Sequence, residues 1–64
     1  MGTHFLDIKR KIADEEAILR EYYNDLREAQ QKGDSSEIKR IERLITEQEN
    51  YLDGLRRRAK DSDV

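Results

Sequence analysis

The chain contains no cysteine, no proline and no tryptophan, and its only histidine is His4. Without cysteine there are no disulfides, and one imidazole cannot furnish the tetrahedral nitrogen and sulfur set of a structural zinc site. No cofactor or metal is expected. Without proline, nothing in the covalent structure interrupts a helix. No apolar run reaches the length of a signal-peptide core or a membrane span, and MGTHFL carries Leu6 where a myristoylation motif wants Ser or Thr. These absences point to a soluble chain with no membrane partner, and the lack of cysteine suits a reducing, cytoplasmic setting.

Charge is abundant: 44% of residues are charged and 34% hydrophobic, with a formal net charge of −2. That balance also describes disordered segments, so the spacing of the apolar residues has to decide. From Phe5 they step by three and four through Ile8, Ile12, Leu19, Tyr22, Leu26 and Ala29, with Glu15 in the one slot that breaks the series. With Phe5 at heptad position a and Ile8 at d, this is a coiled-coil seam. A second seam runs through Ile38, Ile41, Ile45, Gln48, Leu52, Leu55 and Ala59.

Between the seams lies QKGDSSE. Gly33 suits the left-handed position just past a helix end, and Lys32 complements the negative end of the helix dipole. Asp34 then reads as an N-cap, with Glu37 at capping-box spacing. Connections this short join antiparallel neighbours. The two seams agree with that, because their residue numbers pair at a constant total of 67, from Ala29 with Ile38 to Ile8 with Ala59. The fold class expected is all-α: an antiparallel two-helix coiled-coil hairpin spanning residues 1–64 as a single domain. Its helices are placed at about 4–32 and 36–59, with a turn at 33–35 and a frayed tail at 60–64, where Gly54 weakens the last turns.

A domain of this size is near the lower limit at which one core outweighs chain entropy. Self-association is the remaining aid. The g positions hold Lys11, Ile18 and Asp25 on the first helix and Glu37, Leu44, Tyr51 and Arg58 on the second. Both rows share one face, so Ile18, Leu44 and Tyr51 form an apolar flank there. The e positions, Lys9, Glu16, Tyr23, Gln30, Glu42, Glu49 and Arg56, are polar apart from Tyr23. The expected outcome is a homodimer in a four-helix bundle, with Ile18, Leu44, Tyr51 and Tyr23 as interface candidates; a helix of another protein is the alternative occupant of that flank.

No catalytic residue is expected. Glu15 is the one seam carboxylate, and a raised-pKa acid there would lack a converging base or nucleophile; pairing with Gln48 to set register is the favoured reading. DEEAILREYYNDLRE is rich in acids, but the metal-binding Glu-x-x-His pattern is missing, and Glu16 with Arg20 reads as an exposed i,i+4 pair. GLRRRAK folds back beside DIKRK, so the open end collects Lys9, Arg10, Lys11, Arg56, Arg57, Arg58 and Lys60 against four aspartates, a charge of +3, while the turn-side remainder carries −5. This pole is the candidate anion or nucleic-acid patch. Against that use stand the overall sign and the lack of aromatics among the basic residues.

In length, hairpin topology and the polar tail AKDSDV, the chain resembles the plasmid Rop family of dimeric four-helix bundles that bind paired RNA hairpins. The likeness is one of architecture and transfers no site residue. The short sporulation phosphatases are also hairpins, but SSEIKRIERLI lacks their Ser-Gln-Glu-Leu-Asp signature. The functional expectation is a non-enzymatic protein-interaction or regulatory adaptor module, with a small RNA- or DNA-binding regulator as the alternative.

Overall fold

The computed structural model describes residues 2–62, and the side chains of residues 6–61. Two helices, α1 (Gly2–Lys32) and α2 (Ser35–Ser62), fold back on each other into a rod of 49 × 15 × 10 Å. The short dimension is about one helix diameter, so the molecule is a single layer of two helices. The expected side chain of Phe5 in the seam lies outside the described residues.

The reversal takes two residues and satisfies the backbone on both sides. Gly33 adopts φ +70°, and its amide donates to the Gln30 carbonyl at 3.2 Å. The Asp34 amide reaches back to the Ala29 carbonyl at 3.1 Å. This pair of bonds is a Schellman closure of α1. Asp34 also opens α2: its Oδ1 accepts from the Glu37 amide at 3.2 Å and its carbonyl from the Ile38 amide at 2.9 Å. One residue thus ends one helix and caps the next. The expected capping box is only half made, because the Asp34 amide is already bonded to Ala29. Glu37 turns its carboxylate to Arg40 instead.

The seams pack as their spacing requires. Ala29, Ile41 and Ile45 form a buried cluster, with Leu19, Tyr22, Leu26 and Ile38 packed against it. Leu52 and Leu55 are the buried residues toward the open end. Burial is uneven between the helices: α2 buries four seam residues, whereas Ile8, Ile12, Leu19, Tyr22 and Leu26 of α1 stay half-exposed. A two-helix layer leaves flanks open in this way.

The helix boundaries correct two expectations. α1 begins at Gly2 rather than near residue 4, and α2 runs through Gly54 to Ser62, so residues 60–62 are helical and not a frayed tail. Residues 63–64 lie outside the described residues. A helix-interior glycine costs about 1 kcal/mol relative to alanine. Here Leu52 and Leu55 are buried on either side of it, Asp53 and Arg57 pair at 3.0 Å, and Ala59 remains half-buried in the seam. These contacts carry the helix past the weak position.

Candidate interaction faces

The two faces of the layer differ in how far they are already closed. On the e face, the Tyr23 hydroxyl donates to Glu49 Oε2 at 2.7 Å and Arg56 Nη2 donates to Glu16 Oε2 at 2.9 Å. Both bonds cross between helices, and both pairs of residue numbers total 72, so they follow from the same register as the seam. Tyr23, 45% exposed, is therefore anchored by its hydroxyl within its own chain. The bond to Glu49 holds its phenol pKa above the ordinary value, so its contribution is complete below pH 10 and is lost as pH rises through the raised value. Glu16 pairs across to Arg56 rather than along the helix to Arg20.

The g face is built differently. At its open end Lys11 Nζ lies 6.0 Å from the centroid of the Tyr51 ring and 3.3 Å from Glu15 Oε2. The register that sets Lys11 over Tyr51 also aligns Ile18 with Leu44 and Asp25 with Glu37. Ile18 and Leu44 are half-buried and Tyr51 is 47% exposed. No hydrogen bond or ion pair crosses between the helices at the Ile18–Leu44 layer. Nearer the turn, Asp25, Glu28, Asp34 and Glu37 line a shallow, mainly acidic cleft together with Lys32, which pairs with Glu28 at 3.5 Å. Among the described residues no group of acids, histidines or cysteines is arranged to hold a metal ion.

Beneath the Lys11–Tyr51 pair lies the polar layer of the seam. Gln48 Nε2 donates to Glu15 Oε1 at 2.8 Å and to the Glu15 carbonyl at 3.0 Å. The Glu15 side chain is only 12% exposed, yet it has both an amide donor and a cation. Its pKa is lowered, first by the Gln48 amide and then by Lys11, against a burial that pushes the other way. The direction is opposite to that of a raised-pKa acid and accords with the favoured pairing: Glu15 is a pin hydrogen-bonded by Gln48.

A carboxyl whose folded pKa is depressed contributes stability that is present above its ordinary value near 4.5 and is lost as pH falls through the lowered one. Glu15→Gln removes that titration while keeping an oxygen for Gln48. Urea midpoints measured from neutral pH down to about 3 are expected to fall less steeply for the variant than for the parent. Equal steepness in the two proteins contradicts the assignment.

The basic pole is partly neutralised. Lys11 pairs with Glu15, Arg56 with Glu16 and Arg57 with Asp53. Lys9 also has an interaction, while Arg10, Arg58 and Lys60 are exposed. The sequence missed the two cross-helix bonds of the e face, although totalling the e positions as the seam was totalled would have found them. Among the described residues no helix is long and apolar enough to cross a membrane. No family model, curated protein or solved structure matches the chain.

Proposed function

We propose that this hairpin is a non-enzymatic protein-interaction module, a regulatory adaptor whose working surface is the g face and whose first partner is a second copy of itself. The observation that carries this reading is the contrast between faces. Tyr51 stands exposed beside half-buried Ile18 and Leu44, whereas the opposite face is tied by Tyr23–Glu49 and Glu16–Arg56. Stacking two such layers through their apolar faces gives a four-helix bundle, and it covers side chains that a lone layer leaves half in water. Tyr23 lies on the opposite face and is a contact for a further partner rather than for the second copy, its ring exposed though its hydroxyl is engaged. A cytoplasmic setting is supported by the cysteine-free composition.

Sedimentation of the parent beside Leu44→Asp tests the proposal, with circular dichroism of both. The expected result is a dimeric parent and a variant that keeps its helices but sediments as a monomer. A parent that is monomeric and fully helical at micromolar concentration overturns it. The alternative, a nucleic-acid regulator using the basic open end, residues 9–11 and 56–60, would appear in the same run as nucleotide absorbance travelling with the protein. The carboxylate partners of Lys11, Arg56 and Arg57 weigh against that outcome.

A further inference from the structure

The g column of α2 reverses its character along its length: Glu37 near the turn, then Leu44, then Tyr51, then Arg58 near the open end. Set antiparallel to itself, this column is its own complement. Glu37 meets Arg58 of the other copy and Leu44 meets Tyr51, both at the same total of residue numbers, 95. The other two-fold arrangement puts both turns at one end and lays α2 over α1 of the partner. Glu37 then faces Asp25 of the other copy, acid against acid, at an end where acids outnumber Lys32 in the cleft and Glu37 has only Arg40 of its own helix as a counter-charge.

A second observation lies on the same strip. Asn50, Tyr51, Gly54, Leu55 and Arg58 line a notch of about 190 Å³ whose wall is largely apolar. Gly54 offers no side chain to it, and beyond its own stretch of helix nothing lies within 4 Å of where a Cβ there would sit. Residues 51, 54, 55 and 58 have the i, i+3, i+4, i+7 spacing of a hole that receives one side chain of a facing helix. Within the lone hairpin this glycine weakens α2 and makes no contact; under a facing helix it leaves room for a knob.

We infer that the second copy docks with its turn at the opposite end of the rod, α2 antiparallel to α2, with Leu44 of each copy against Tyr51 at the turn-side rim of the other's notch and Glu37 beside Arg58. This rests on the proposed self-association and adds its direction and register. The charge reversal favours the pairing and penalises the alternative.

The cysteine-free chain takes a single spin label at exposed Ser36 through Ser36→Cys. Turns at opposite ends place the two labelled backbones about 23 residues apart along the axis, roughly 35 Å at the helical rise. Turns at the same end leave them roughly 15 Å apart across the bundle. A dimer by sedimentation with the long distance is the expected result. A dimer with the short distance overturns the inference and leaves the proposed function standing; a monomer overturns both. A charge swap gives an independent check. Glu37→Arg is expected to weaken the dimer about tenfold by setting cation against cation, and Glu37→Arg with Arg58→Glu to restore it. Because the double variant keeps the loss of the Glu37–Arg40 pair, recovery reports the contact between copies. A single variant that dimerises more tightly than the parent indicates the acid-on-acid arrangement and rejects the one inferred.

Discussion

Leu52→Ala is expected to cost about 2–5 kcal/mol and to leave the chain largely unfolded in dilute solution. Leu52 has no exposed surface at all, the only described side chain buried so completely. It occupies an a position of α2, one helical turn beyond the Gln48–Glu15 layer toward the open end. A two-helix rod has no second layer to collapse into the space, so the truncation removes transfer free energy and leaves a cavity. A domain of this length commands only about 3–5 kcal/mol from its core. Loss of most helical dichroism at low concentration, with partial recovery at high concentration if assembly supplies the difference, is the expected record. Leu6→Ala is the matched control, because Leu6 is 62% exposed and its loss should move the urea midpoint little. A Leu52→Ala chain that melts like the parent would show that the two helices are not held by this seam.

Gly33→Val is expected to change topology rather than merely weaken the fold. At φ +70° an L side chain is strained by roughly 1–2 kcal/mol, and a β-branched one more. Open space around the position gives no relief, since the strain is in the backbone. Of the regions open to valine, the right-handed helical one keeps the helical hydrogen bonds running on both sides of the position. Adopting it abandons the bonds from Gly33 to Gln30 and from Asp34 to Ala29 and joins α1 to α2 as one long helix. The seams then find each other only between chains. Helical content should hold or rise while the distance within one chain between labels near Ile12 and Leu55 lengthens severalfold. A variant that keeps the short intramolecular distance would mean the turn does not depend on the left-handed glycine.

The hairpin was readable because its determinants are local or periodic. Seam spacing needs only side-chain polarity, and the turn needs only the one residue type without a Cβ, followed by an N-cap. The partnership of Glu15 with Gln48 was also readable, since two polar residues in adjacent layers of opposite helices have few other partners. What escaped was decided by competition among partners. Glu16 has an acceptable base at Arg20 on its own helix and takes Arg56 across the layer. Glu37 has the spacing of a capping box, but the amide it would bond is already committed to Ala29. The end of α2 escaped for a related reason: the low propensity of Gly54 points to fraying of the last turns, while the burial of Leu55 beyond it depends on the opposite helix. The direction of the Glu15 shift required knowing that a donor and a cation both reach the carboxylate.

The Glu15–Gln48 pair has a consequence that outlasts the turn. Sliding one helix by a heptad along the other would strand the carboxylate against Ile41 or Leu55 and deprive Gln48 of both its acceptors. Alignment is thus proofread by chemistry in the middle of the rod as well as by tethering at its end. If two chains ever exchange helices, the same bonds re-form between molecules and only the in-register partner is accepted.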